Sequence, residues 1–215
     1  MRLRTHVVLG ITVIFTNLLC EEIRATGSTS AASGVIVDRP QLKQLFSRYQ
    51  GLTELSVDFQ QTKILKDVPN RLISKGHLLV QTPDRLVWTL TTPAFLEVVI
   101  AKGEVQITSG KGASADVQKI TRAQLASNPQ SRSLDGLAHW LKFDADFLEN
   151  EYEVTRIENG KYVFNPRKIE DSPFRELIVE LAKSGAVREL DMSEKSGDRL
   201  EIHFEEPKMK RNEQK

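Results

Sequence analysis

Catalysis in water needs nucleophiles, acid–base groups or metal ligands at workable spacings, and this sequence offers few. Its four histidines are His6, His77, His139 and His203. None stands four residues from another, the spacing with which zinc hydrolases set two imidazoles on one helix face, so no metal ligand set is expected. Cys20 is the only cysteine, which excludes a disulfide framework and any multi-cysteine zinc site. Ser109-Gly110-Lys111-Gly112-Ala113-Ser114 resembles a phosphate-cradling loop. It lacks the G-x-x-x-x-G-K-[ST] spacing, however, and no clear helix follows it. No G-x-S-x-G marks a nucleophile elbow. Glu149, Glu151 and Glu153 cluster, and Glu205 adjoins Glu206. Carboxylate pairs act only at a fixed separation across a cleft, whereas clusters at strand ends are usually solvated. No enzyme, cofactor or metal is expected, and the expected class is binding.

Composition agrees. With 30 basic against 29 acidic residues, the formal charge of +1 leaves no electrostatic footprint for nucleic acid. A charged fraction of 27% and a mean hydropathy of −0.33 exclude a polytopic membrane protein. The 215 residues suffice for one domain of ordinary size with a substantial core, expected as a monomer.

The first 19 residues are organised differently. Arg2 and Arg4 precede an apolar run from Val7 to Leu19, and a run of about 13 is too short to span a bilayer but suits a signal-peptide core. Small residues follow at Ala25 and at Ala31-Ala32-Ser33, so residues 1–32 read as signal peptide and processing region, and the protein as exported. Cleavage at 32 would remove three Arg and two Glu, leaving 27 basic and 27 acidic residues and no cysteine. Such a chain suits an oxidising compartment. Cys20 sits where a lipoprotein's acylated cysteine would sit, but Leu19 before it is not the small residue that processing prefers, so it is read as lost with the signal.

The elements of the remainder follow from periodicity. Residues 26–37 are small and polar, a linker. Asp38 and Pro40 mark a helix start, and Leu42, Leu45, Phe46 and Tyr49 make one apolar stripe to Gly51, so a helix is expected over about 39–50. The period then becomes two. Leu55, Val57 and Phe59 alternate with polar residues, as do Leu78 and Val80, then Leu86, Trp88 and Leu90, then Leu96, Val98 and Ile100, and Val105 with Ile107. Residues 109–132 read as irregular. Leu134, Leu137, Ala138 and Leu141 mark a short amphipathic helix carrying Trp140, which Phe147-Leu148 extend. Strands return at 152–157 and 161–165 around Asn159-Gly160, a strong hairpin signal, then at 177–181, 187–192 and 200–204. The basic residues 208–215 read as a frayed tail that brushes anionic membrane surfaces at most.

About nine to eleven antiparallel strands in one domain must curl to bury one face. The expected fold is mainly β (α+β), a half-open antiparallel barrel with short helices covering an apolar cavity, over residues 33–207. Alternating Leu, Val and Phe are core in most proteins, so periodicity alone does not separate cavity wall from filled interior.

Several features together resemble one family. They are Phe59-Gln-Gln-Thr-Lys63, then Ser74-Lys-Gly76-His-Leu-Leu79, then Thr82-Pro-Asp-Arg-Leu-Val-Trp88 with Thr92-Pro93, and finally Phe164-Asn-Pro166 before three strands. In this order the chain resembles LolA, the family of periplasmic carriers of outer-membrane lipoproteins, over roughly residues 40–206. The resemblance implies a cavity that shields the acyl chains of lipoproteins crossing from inner to outer membrane. It also implies an inner-membrane release complex and an outer-membrane acceptor as partners. Trp88 matches the family tryptophan that lines the cavity, Leu86 and Leu90 share its face, and Phe59 matches a family phenylalanine. Val98 and Ile100 belong to the same expected wall. Leu134, Leu137 and Leu141 fall where the lid helix falls. The sequence departs from the best-studied carriers at Thr82, which stands where they have an arginine that latches the lid, and Arg85 is the candidate replacement. The departure leaves two further readings open: a carrier of another acyl lipid, and a membrane-tethered acceptor or envelope assembly factor held by Cys20.

Overall fold

The computed structural model describes residues 34–110, 112, 115–121, 145–170, 172 and 174–211. Along the chain it runs β1 (Val35–Ile36), α1 (Arg39–Leu45) with a 3-10 turn at Ser47–Tyr49, β2 (Leu52–Ile64), β3 (Arg71–Gln81), β4 (Arg85–Thr92), β5 (Leu96–Ala101) and β6 (Glu104–Ser109). It continues through β7 (Asp116–Ile120), α2 (Ala145–Glu151), β8 (Tyr152–Glu158), β9 (Lys161–Pro166), β10 (Phe174–Leu181), β11 (Val187–Glu194), β12 (Arg199–Phe204) and β13 (Lys208–Arg211).

All the strands belong to one antiparallel sheet, ordered β1-β8-β9-β10-β11-β12-β2-β3-β4-β5-β6-β7, with β13 also on β2. Short hairpins make most neighbours, as Asn159-Gly160 does between β8 and β9, where Gly160 takes φ +80°. The join between the halves is long-range: β12 pairs with the far end of β2, Phe204 opposite Phe59 and Arg199 opposite Ile64. Among the described residues no pairing links β1 to β7, so the curled sheet stays open as a half-open barrel.

Alternation along each strand sends one set of side chains inward. In register, Phe59 lies opposite Gly76 and Phe204, Leu78 opposite Trp88, Trp88 opposite Val98, and Leu177 opposite both Phe164 and Met192. These residues join one continuous core with α1 and α2. Fully burying each large apolar side chain contributes about 1.5–3 kcal/mol, so this face is what the strands associate to hide.

The helices cover the β8–β11 part of that face. Asp38 caps α1 reciprocally with Gln41: the Gln41 N–H donates to Asp38 Oδ1 and the Asp38 N–H to Gln41 Oε1, both at 3.0 Å. Leu42, Phe46 and Tyr49 then point inward, with the Phe46 ring 6.5 Å from that of Phe164. The Val187 N–H donates to Tyr49 Oη at 2.8 Å, tying this segment to β11. Arg39 binds α2 through Asp146 at 2.6 Å and Glu149 at 3.1 Å. That guanidinium holds the Asp146 carboxyl below its usual range.

Three expectations change. Val35–Ile36, expected in a linker, pairs with β8; part of the expected irregular stretch, Asp116–Ile120, pairs with β6; and Lys208–Arg211, expected to fray, pairs with β2. All three strands are held by backbone ladders with little buried apolar surface, which is why no alternation announced them. For β13 a Lys210–Glu54 ion pair at 2.6 Å adds to the ladder. The signal region, Cys20, His139 and the expected lid helix with Leu134, Leu137, Trp140 and Leu141 lie outside the described residues.

Candidate functional site

The strands β2 to β5 bring six of the nine expected cargo-contacting residues onto one face. Trp88 is its centre. Its ring centroid stands 4.2 Å from that of Phe59, reached across β3 at Gly76, whose missing side chain lets the Phe59 ring lie over the backbone. A Cβ on Gly76 would come within 2.5 Å of Phe59 Cζ and 2.2 Å of the Thr89 carbonyl oxygen. Leu86 and Leu90 flank Trp88 on β4, and Val98 faces it from β5. Phe59, Leu86, Trp88, Leu90 and Val98 are all buried, while Ile100 is only half-buried at the end of β5.

One polar atom in this apolar patch stands out. Trp88 Nε1 is buried and, among the described residues, has no hydrogen-bond partner. An indole N–H left unpaired in an apolar interior costs about 1–3 kcal/mol. Tryptophan normally escapes that cost by reaching an acceptor. The patch therefore offers a large apolar wall and one unspent donor, and nothing that transfers protons or electrons.

At the β2–β3 end the inner face turns from apolar to charged. Past Phe59 the inward positions of β2 are Gln61 and Lys63, both almost fully buried. The Lys63 ammonium bonds the Glu194 carboxylate and lies 3.8 Å from Asp198 Oδ2. Asp198 Oδ1 accepts the Lys66 backbone N–H at 3.0 Å. Burial pushes the Glu194 carboxyl above the usual carboxylate range, with the Lys63 ammonium opposing it. The cluster fastens the β11–β12 turn to the end of β2. Sequence reading missed it because its members are up to 135 residues apart, Lys63 to Asp198.

The other candidate chemical groups disperse. His77 bridges Asp58 and Ser56: Nδ1 is 2.7 Å from Asp58 Oδ1, and Nε2 is 3.1 Å from Ser56 Oγ. Serine, histidine and aspartate in this order suggest acyl transfer, but they lie on the outward face of the sheet. Ser56 is paired to Lys208 on one side and Leu79 on the other. Backbone N–H groups spent in two ladders supply no oxyanion hole. Of the glycine-rich stretch, Lys111, Ala113 and Ser114 lie outside the described residues, and the next described strand is β7. Glu149 is paired with Arg39, and Glu206 lies 3.6 Å from Arg48. Among the described residues no cluster of histidine, cysteine, aspartate and glutamate could hold a metal.

Thr82 and Arg85 are also placed. Thr82, exposed in the turn after β3, donates from Oγ1 to the Leu52 carbonyl at 2.6 Å. Arg85 donates to Gln81 Oε1 at 2.7 Å on the outward face. Among the described residues neither presents a cation to the inner face, and the lid helix that such an arginine would latch lies outside them.

Comparison with known proteins adds the family. No curated protein matches the chain by sequence. Among solved structures, a LolA superfamily protein from Nitrosomonas europaea is similar at 7% identity and TM-score 0.40, covering 81% of this chain and 94% of that one. A DUF1329 family protein from Desulfovibrio piger is similar at 9% identity and TM-score 0.36, covering 82% and 93%. A chain of the Pseudomonas aeruginosa MucA/MucB complex is similar at 14% identity and TM-score 0.41, covering 78% and 56%. The sequence model of the outer membrane lipoprotein carrier protein LolA matches residues 50–214, from the start of β2 through β13 and beyond, and the chain belongs to that family.

Proposed function

We propose that this protein is a periplasmic carrier that shields lipoprotein acyl chains against the inner face of its half-open barrel and passes them from inner to outer membrane. The observation that carries the reading is Trp88: buried mid-face between Phe59 and Val98, with an N–H that no described residue accepts. An ester or amide carbonyl next to an acyl chain would accept that hydrogen bond while the chain lies along Leu86, Leu90, Val98 and Ile100. Family membership supports the cargo class. The energetics are adequate, since each buried CH₂ contributes about 0.8 kcal/mol and a chain of about 16 carbons roughly 10 kcal/mol before the cost of immobilisation. An inner-membrane release complex and an outer-membrane acceptor follow as partners from the family's role, and residues 1–32 as the export signal. Leu134, Leu137 and Leu141 complete the proposed cargo-contacting set.

The test is titration with a fluorescent fatty acid and with a triacylated peptide, in a Trp140→Phe background so that Trp88 alone reports. Saturable binding with a shift or quench of Trp88 emission is expected. Trp88→Ala should weaken binding more than it weakens folding. Absence of saturable uptake of either ligand refutes an acyl carrier. A stability loss of about 3–5 kcal/mol with normal affinity would make Trp88 ordinary core.

A further inference from the structure

The strongest surface feature lies away from the cargo face. Pairing between β2 and β3 continues to Ile64 opposite Arg71, but pairing between β3 and β4 stops at Lys75 opposite Thr92. Residues Arg71–Ser74 therefore run beyond the β4 edge, by about 13 Å at roughly 3.3 Å per residue, and the Leu65–Asn70 loop projects with them. On this overhang Val68, Leu72 and Ile73 are 43%, 42% and 54% exposed, three of the seven large apolar side chains exposed among the described residues. Leu72 takes the inward face and Ile73 the outward one, so both sides of the tip are apolar.

Charge surrounds them. Arg71 and Lys75 flank Ile73 at two-residue spacing on the outward face, and Lys66 stands at the loop base; all three are exposed. Among the described residues none of these three cations makes an ion pair. Within residues 65–75 the charges are Lys66, Arg71 and Lys75 against Asp67, a net of +2 on a chain whose formal total is +1. The neighbouring loops pack beside it without adding net positive charge, since Arg167 and Lys168 are balanced by Glu170 and Asp171, and Lys195 and Arg199 by Glu194 and Asp198. The Lys66 N–H bonds Asp198 of the β11–β12 turn, and Lys195 of that turn donates to the Glu170 carbonyl at 2.9 Å, beside exposed Ile169 and Lys168.

An apolar tip ringed by unpaired cations is complementary to a bilayer with anionic headgroups: the cations meet phosphates while the tip enters the interface. We propose that the β2–β3 hairpin docks this protein on an anionic membrane surface, with Val68, Leu72 and Ile73 inserted and Lys66, Arg71 and Lys75 at headgroup level. The tip lies beyond the β4 edge, past Trp88 and its neighbours, so the proposal stands or falls independently of the cargo.

The test is flotation of the purified, unloaded protein with vesicles of phosphatidylcholine alone and of phosphatidylcholine mixed with phosphatidylglycerol. Binding to the mixed vesicles should exceed binding to the neutral ones by at least about tenfold and weaken as salt rises. Replacing Lys66, Arg71 and Lys75 together by Gln should lower it about a hundredfold, at roughly fivefold per charge. Leu72→Ser with Ile73→Ser should lower it at least about tenfold, with an unchanged melting temperature showing that the fold persists. Equal binding to both vesicle types, binding to neither, or full binding by the double Ser variant overturns the proposal. Trp88→Ala is the control: it should dock as the parent does, and loss of docking there would trace the signal to lipid uptake by the cargo face and also overturn it.

Discussion

Gly76 sits at the crossing of β2, β3 and β4, and substituting it tests the geometry on which the cargo face depends. Its backbone is not in the left-handed region, so Gly76→Ala carries no φ penalty. On backbone grounds alone the change should stabilise by about 0.4–1 kcal/mol through the unfolded chain. Packing opposes it. The new methyl would lie 2.2 Å from the Thr89 carbonyl oxygen and 2.5 Å from Phe59 Cζ, so either the β4 backbone retreats or the Phe59 ring leaves Trp88. Overpacking of this kind costs about 1–3 kcal/mol. Loss of the Phe59–Trp88 ring contact removes about 0.5–1.5 kcal/mol more. The expected net loss is about 2 kcal/mol, which for a domain of this size lowers the melting temperature by roughly 4–8 °C. Thermal and urea unfolding measure it, and Trp88 emission in the Trp140→Phe background should change in the folded state because its stacking partner moves. Adding Phe59→Leu should recover part of the loss by freeing one of the two contacts. A neutral or stabilising Gly76→Ala with unchanged emission would refute the claim that the face depends on this close approach.

Two further outcomes follow from the structure. Because burial raises the Glu194 carboxyl above its unfolded value of about 4.5, its protonated form favours folding: that contribution is complete below about pH 4.5 and is lost as pH rises through the folded value. Glu194→Gln removes this titration, so the melting temperature of the parent minus that of the variant should fall as pH rises from about 4.5 and then level off, and a difference that is constant or grows with pH would contradict it. Tyr49→Phe strips the acceptor from the buried Val187 N–H and should cost about 1–3 kcal/mol in urea unfolding with little change in acyl binding.

What was legible in the sequence was whatever apolar burial writes at period two. Leu86, Trp88 and Leu90 declare β4, and Asn159-Gly160 declares the β8–β9 hairpin, because local pattern and final environment agree. The alternation in β2 is apolar only to Phe59, and the pattern ends at Gln61. The strand itself runs on to Ile64, with Lys63 still pointing inward. A lysine can hold an inward position only where carboxylates meet it, and those come from the β11–β12 turn, far away in sequence. β1, β7 and β13 fail to announce themselves for the complementary reason. Their backbones are paired, but their side chains bury little, and a basic run such as Lys208–Arg211 reads as solvated although it is laddered to β2.

The candidate site divides along the same line. Six apolar positions were assigned to one face from spacing and family pattern, and in the structure the strands place them there, because a strand's period fixes which side chains share a face. The property that turns this face from core into a candidate cargo surface is the unpaired Trp88 N–H, which depends on what every neighbouring strand does not present. The sequence around Trp88 is apolar at Leu86, Leu90 and Val98 and supplies no acceptor, yet any residue distant in the chain could have done so. Among the described residues none does, with Leu78 beside it on one strand and Val98 on the other. The same packing explains Gly76. In sequence it is one glycine in a strand, a weak position by propensity. In the structure its missing Cβ is what permits Phe59 and Trp88 to meet across the strand between them.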